Sequence, residues 1–311
     1  MSGELKTDSR LEKILKSGQF AVTGECGPPR GADANVIREK CKLLKGNADA
    51  FNITDNQTSV VRMSSISSAV IMMQEGMEPI MQMVCRDRNR IAIQSDILGG
   101  AALGIKNMLC LSGDHQKFGD HPQAKNVFDI DSIQLINTVR RMRDEGKFLG
   151  GDDIKGVPKL FVGAAANPFA DPFEIRVPRL AKKVKAGVEF VQTQCIFNIK
   201  KFGEWMKQVV DRGLHEKVFI LGGVTPFKSF GMARYMAKNV PGMDVPDELL
   251  QRMKDTPKEK QADEGITIAV ETIQQLREMT GIAGIHIMAI EWEEKVGEIA
   301  QKAGLLPRPQ V

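Results

Sequence analysis

The apolar positions of this chain fall in short, nearly unbroken runs, separated by stretches in which they recur every three or four residues. The runs Phe20–Thr23, Ala48–Thr54, Pro79–Cys85, Ile105–Leu111, Lys159–Ala164, Glu189–Gln194, Lys217–Leu221 and Gly284–Ile290 read as strands. The segments Asn35–Lys45, Arg90–Leu103, Ile130–Glu145, Ile175–Ala186, Lys200–Arg212, Ser229–Asn239 and Ile266–Thr280 read as amphipathic helices. Gly46, Gly104, Gly187 and Gly213 stand just past the last periodic residue, where a helix stops. Strands apolar on both faces belong in a parallel sheet covered by helices. The alternation predicts an α/β fold, a single (β/α)8 TIM barrel over residues 1–311 with an N-terminal helix. An open doubly wound sheet is the other reading, because periodicity does not reveal closure.

Composition narrows the class. The chain is 42% hydrophobic, enough for a full core, yet its apolar runs are far short of a membrane span. The segment MSGELKTDSRLEKILKSG is charged throughout and lacks the apolar centre of a signal peptide. Cysteines 26, 41, 85, 110 and 195 form no C-x-x-C pair, so they read as reduced thiols of a cytoplasmic protein, not as a zinc site. A formal charge of +4 with 5% aromatics argues against a nucleic-acid binder and suits a small anionic ligand. No dinucleotide-binding G-x-G-x-x-G follows the first strand, and P-loop, H-E-x-x-H and G-x-S-x-G motifs are missing.

Candidate chemistry collects at the carboxyl ends of the predicted strands, the face where barrels keep their sites. Glu25, in Glu25-Cys26-Gly27-Pro28-Pro29-Arg30, stands where the prolines forbid strand continuation. It reads either as a proton-transfer group or as a turn acid capping the next helix. The other ends contribute Thr54 with Asp55 and Asn56, Gln82 with Arg86, Asp114, Asn167, Gln194 and the loop Gly222-Gly223-Val224-Thr225-Pro226. Acids and amides without a cysteine–histidine pair suit a planar heterocycle and one proton transfer better than a metal. The long loop Ser112–Asp129 carries His115 and His121, either general acids or ordinary loop residues.

These residues have an order. Glu25-x-x-Pro28-Pro29, Leu111-x-Gly113-Asp114, Gly163-Ala164-Ala165, Ala186-Gly187-Val188 with Thr193-Gln194, Gly223-Val224-x-Pro226 and Gly281-x-x-Gly284-x-His286 resemble the motifs of methylenetetrahydrofolate reductases in their compact bacterial form. The resemblance implies a flavoprotein oxidoreductase of one-carbon metabolism that reduces 5,10-methylenetetrahydrofolate to 5-methyltetrahydrofolate. It implies FAD, with FMN as the alternative, and electrons from NADH, NADPH or a redox partner subunit. An oligomer is the expected state.

By the same resemblance Glu25 and Asp114 are the catalytic residues. Glu25 matches the glutamate that protonates N10 and opens the imidazolidine ring, a task that needs a pKa raised by burial. Asp114 matches the aspartate at the pterin's aminopyrimidine edge and Gln194 the pterin-binding glutamine. Phe230 falls where an aromatic packs on the folate or nicotinamide ring, or is simply a core helix residue. Thr54, Gln82, Ser112, Ala165, Asn167, Asp171 and Lys183 match cofactor-side positions. Several of these depart from the family. Ser112 stands for a common arginine at the flavin pyrophosphate, Asn167 for tyrosine, Asp171 for histidine and Gln82 for histidine. Ala289-Ile290-Glu291-Trp292 replaces the usual Leu-Asn-Arg. The run Arg86-Asp87-Arg88-Asn89-Arg90 either replaces the lost arginine or is a solvated helix start. Pro246–Lys254 and the methionine-rich stretch Met63–Met83 are candidate partner contacts, with core filling the other reading of the methionines. The competing functions are a flavin-free folate barrel that transfers a methyl or one-carbon group, and a non-catalytic binding subunit.

Overall fold

A computed structural model describes residues 4–311; Met1–Gly3, inside the predicted domain boundary, lie outside the described residues. The strands are β1 (Ala21–Cys26), β2 (Ala50–Ile53), β3 (Pro79–Val84), β4 (Asn107–Leu111), β5 (Phe161–Ala166), β6 (Phe190–Cys195), β7 (Phe219–Val224) and β8 (Ile282–Ile287). All pair in parallel in sequence order, and β8 returns to β1 through the register Thr23 opposite His286. The sheet is therefore the closed TIM barrel, and the doubly wound reading falls.

The helices are α1 (Arg10–Lys16), α2 (Ala34–Leu44), α3 (Ser65–Gln74), α4 (Arg90–Ala102), α5 (Ser132–Arg140), α6 (Arg176–Ala186), α7 (Ile199–Asp211), α8 (Phe230–Asn239), α9 (Asp247–Asp255), α10 (Gln261–Glu278) and α11 (Lys295–Lys302). Local chemistry sets their ends. Asp131 and Gln134 form a capping box that starts α5 two residues later than the apolar pattern predicts. Gly187 ends α6 at φ 104°, a conformation that suits glycine. None is long and apolar enough to cross a membrane among the described residues.

Alternation along each strand stacks the barrel interior in layers. The lowest is apolar: Ala21, Ala50, Ile80, Leu109, Phe161, Phe190, Phe219 and Leu221 pack on Leu11, Ile14 and Leu15 of α1, which closes that end. Phe161 and Phe190 stack at 5.1 Å, and the Phe190 ring fills the space a Cβ on Gly163 would need. Above lies a polar layer from the next inward residues, Thr23, Asn52, Gln192 and His286. Asn52 and Gln192 exchange two hydrogen bonds, Gln192 also donates to Thr23 Oγ1, and that hydroxyl meets His286 Nδ1 at 3.0 Å. Burial of the ring holds His286 down at about 4, so it is neutral at physiological pH.

Several boundaries differ from the expectation. β1 runs on through Glu25 to Cys26 because Glu25, two residues past Thr23, continues the inward series. Gly222-Gly223-Val224 is strand, not loop: Gly223 N–H donates to Thr193 Oγ1 and no Cβ would fit against the Thr193 carbonyl. β8 stops at Ile287, short of Ile290. Ser65–Gln74 forms α3, and Met72, Met77, Met81 and Met83 of the methionine-rich stretch are buried in the core around it.

Candidate active site

At the carboxyl ends of the strands a cavity of about 350 Å³ opens above the polar layer. Its wall includes Glu25, Gln82, Ser112, Ala165, Asn167, Lys183 and Gln194, so seven of the residues expected from sequence share one space. The polar layer supplies its floor through Asn52, Gln192 and His286.

Glu25 is the one carboxyl in that wall among the described residues. Burial pushes it up to about 7; a hydrogen bond with the Gln57 side chain opposes the shift, Glu293 adds to it, and Lys40 and Arg62 oppose it. It can therefore carry a proton at neutral pH and release it in a reaction. Gln194 uses its side-chain oxygen on the backbone N–H of Cys195 at 3.3 Å, leaving its amide nitrogen for a ligand. The Gln82 side chain has no hydrogen-bond partner among the described residues.

The opposite wall is cationic. Arg176, Arg179 and Lys183 are spaced to share one face of α6 and all line the cavity. Lys183 Nζ donates to the Ala165 carbonyl at 2.5 Å, and its ammonium is held down at about 8 by burial and then by Arg179. Arg176 donates to the Asp171 and Pro172 carbonyls. Arg179 has no hydrogen bond or ion pair with another described residue. Beside them the Ser112 and Ser132 hydroxyls are 3.1 Å apart, Ser112 donating. These cations make no ion pair among the described residues, with Asp131 acting on Lys183 only at longer range, so the wall favours an anion.

The remaining expected residues stand outside the cavity wall. Thr54 follows β2, is buried, and its Oγ1 has no partner. Asp114 is exposed in the loop after β4, where its carbonyl accepts from Ser59 Oγ and Arg86 Nη1. Asp171 is exposed, and Phe230 is half-buried at the start of α8, beneath the Arg234 guanidinium. Asn167 is at the wall, but its side-chain Oδ1 accepts from the N–H groups of Phe169 and Ala170. The loops around Asp114 are tied down: a Cβ on Gly119 would strike the Ser59 carbonyl, and Asn56, Thr58 and Ser59 all take positive φ.

The arginine run after β3 lines no part of the cavity; Arg90, exposed as the first residue of α4, fits the solvated helix start, while Arg86 and Arg88 are tied into the protein. Arg88 forks onto Asp55 and reaches Asp96, Arg86 is buried on Asp87 and two carbonyls, and Arg90 pairs with Asp129. Each guanidinium is spent on a group of the protein itself, Arg90's at the surface. The cations that line the cavity are Arg176, Arg179 and Lys183, of which only Lys183 was expected. Their signal was the spacing Arg-x-x-Arg-x-x-x-Lys at 176, 179 and 183. Asn52 and Gln192 were not singled out, though each lies one alternation below a predicted strand end, and His286 entered only as part of a family motif, two alternations below the predicted end at Ile290. His115 and His121 are exposed, and His121 meets Asp120 at 2.9 Å. All five cysteines are buried and unpaired, and burial pushes the Cys26 and Cys195 thiols up to about 12.

The family model for methylenetetrahydrofolate reductase matches residues 10–304. The chain belongs to the methylenetetrahydrofolate reductase family. Similar members include a Caenorhabditis elegans protein named probable methylenetetrahydrofolate reductase (NADPH), 21% identical over 95% of this chain and 44% of its own length. Methylenetetrahydrofolate reductase 2 of Schizosaccharomyces pombe is 23% identical over 73% of this chain and 36% of its length. The chain thus spans less than half the length of these curated relatives. Among solved structures, a Clostridium thermocellum protein that binds two copies of 5-methyl-5,6,7,8-tetrahydrofolic acid superposes with a TM-score of 0.64 at 13% identity, over 95% of this chain and 98% of that one. At that identity the likeness shows the shared barrel fold.

Proposed function

We propose that this protein reduces 5,10-methylenetetrahydrofolate to 5-methyltetrahydrofolate with a bound flavin nucleotide, and that Glu25 is its general acid. The observation that carries the reading is Glu25 itself: in a member of this family, the one carboxyl of the cavity wall keeps its proton to about pH 7. The bridging carbon of the substrate accepts hydride poorly until the five-membered ring opens, and opening needs a proton on N10. Glu25 holds that proton beside the site, and the free amides of Gln194 and Gln82 suit the donor and acceptor edge of a pterin.

The residues present fit a flavin nucleotide. Arg176, Arg179 and Lys183, with the Ser112 and Ser132 hydroxyls, would hold its phosphate oxygens through charge-assisted bonds. Thr54, whose hydroxyl is buried without a partner, is the candidate for the flavin edge. When bound, the flavin supplies the two-electron reducing equivalent. The neutral imidazole of His286 and the paired amides of Asn52 and Gln192 form a rigid floor that adds no charge.

The test is an anaerobic half-reaction series on the purified chain. A flavin spectrum bleached by NADH or NADPH and restored by 5,10-methylenetetrahydrofolate is the expected result. A flavin that ignores both nucleotides but is reoxidised by the folate assigns electron delivery to a partner chain. Protein that binds the folate but takes up no flavin overturns the reading in favour of a flavin-free one-carbon transfer barrel.

A further inference from the structure

Glu25, next to last in β1, lies near an ion pair that is not part of the cavity lining. Lys40, on α2, donates from Nζ to the Gly27 carbonyl at 3.1 Å and to Glu293 Oε1 at 2.5 Å. Glu293 is buried and comes from the segment after β8, next to the Ala289–Trp292 stretch that departs from the family pattern. One lysine thus joins α2, the turn two residues past Glu25 and the loop after β8. Removing two charges from water is expensive, and apolar replacements are often as stable, so stability alone does not explain the pair.

Its position beside Glu25 supplies a reason. An ammonium near a carboxyl favours the ionised form, so an uncompensated Lys40 would work against the burial that keeps Glu25 protonated. A carboxylate bound to that ammonium cancels most of its field. The other groups facing Glu25 are Gln57 and Arg62 from the segment after β2 and the thiols of Cys26 and Cys195. The cavity is also lined by Lys183, Arg176 and Arg179 in its wall and by neutral His286 in its floor. Burial does most to keep Glu25 protonated, and the Glu293 charge adds to it against Lys40 and Arg62.

We propose that Lys40 and Glu293 are the positioning pair for Glu25: Lys40 fixes the turn that aims the carboxyl, and Glu293 cancels the lysine's charge so that Glu25 remains a neutral acid. The inference rests on Glu25 being the proton donor. Its test reads Glu25 directly, in the purified chain, through the infrared carbonyl band of a protonated carboxyl followed against pH and assigned by its loss in Glu25→Gln. Glu293→Gln should lower the titration midpoint by about one pH unit, roughly tenfold in proton affinity. Lys40→Met should shift it upward, Lys40→Arg should preserve it, and the double variant Lys40→Met/Glu293→Gln should bring it back toward the parent. An unmoved midpoint in Glu293→Gln, or shifts of the same sign in both single variants, overturns the pair's role. Failure of the reductase reading would show elsewhere, as Glu25→Gln protein that still turns over folate while the carboxyl titration stays as described.

Discussion

Asn52 on β2 and Gln192 on β6 face each other across the barrel and exchange two hydrogen bonds, of 2.7 and 3.0 Å. Both side chains are buried, so truncating one strands the other's amide. Asn52→Leu or Gln192→Leu should each lower stability by roughly 1–3 kcal/mol, the cost of an unsatisfied buried polar group. The double Leu variant should lose much less than the sum of the two. Urea denaturation of the four proteins measures the coupling, and strictly additive losses would show that the two amides do not depend on each other.

Glu25 gives the protein a pH signature. Its carboxyl titrates near 7 in the folded chain against an ordinary 4.5, so between those values the folded state binds the extra proton. The Glu25 contribution to stability is therefore intact below about 4.5 and declines as pH rises to about 7, then stays level. Glu25→Gln should be less sensitive over that window and more stable than the parent at pH 8, by up to roughly 3 kcal/mol. Denaturation of parent and variant at pH 4.5 and pH 8 isolates this term. A variant no more stable than the parent at pH 8 would mean the carboxyl is solvated.

The same substitution separates chemistry from binding. Glu25→Gln should bind flavin and folate while folate-dependent reoxidation slows by roughly 10²- to 10⁴-fold, the usual contribution of a general acid. Reduction of the flavin by its donor should keep its rate. Equal loss in both half-reactions, read by stopped-flow absorbance, would assign Glu25 a structural role.

The cationic wall predicts a phosphate preference. Arg179→Ala removes a guanidinium that has no internal partner, so the fold should tolerate it. Affinity for FMN or FAD should fall about 10- to 100-fold, equivalent to one charge-assisted hydrogen bond of roughly 1.5–3 kcal/mol. Riboflavin, which lacks the phosphate, should bind both proteins alike. Fluorescence-quenching titrations that show equal losses for all three flavins would remove Arg179 from the phosphate site.

At the opposite end of the barrel, Arg308 forks onto buried Asp49 and donates to the Phe20 carbonyl, holding the C-terminal segment across the base. Arg308→Met leaves Asp49 buried with only a 3.5 Å contact to Arg10 and the Val22 N–H. The loss should be roughly 3–5 kcal/mol of stability, with flavin affinity at the far face unchanged. A thermal midpoint equal to the parent's would show that water solvates Asp49 in the variant.

The barrel was legible in the sequence because each parallel strand is covered on both faces and so reads as an apolar run between helices with glycine stops. Glu25, Gln82, Asn167 and Gln194 could be placed near one pocket because strand ends in such a fold share a face, whereas Ser112, Ala165 and Lys183 were expected there only from the family resemblance. The strand limits were less legible. Glu25 and the Gly222-Gly223 pair look like turn residues locally, yet the sheet takes them in, one to face a polar layer and the other because neighbouring strands approach too closely for a side chain.

Sequence by itself determined the order of the elements, the sign of the residues at each strand end and the spacing that puts Arg176, Arg179 and Lys183 on one face of α6. Tertiary structure alone decided which charges are spent and which are free. Arg88 and Arg90 meet Asp55 and Asp129, brought to them by other segments, and Arg86 meets its neighbour Asp87, whereas Arg179 meets no carboxylate among the described residues. It also decided the pairing of Asn52 with Gln192 and the placing of Glu293 beside Lys40, residues 140 and 253 positions apart. Alternation says that a residue points inward, but its partner depends on how the barrel closes. A carboxyl's proton affinity depends on the water excluded and the charges gathered around it once it has closed.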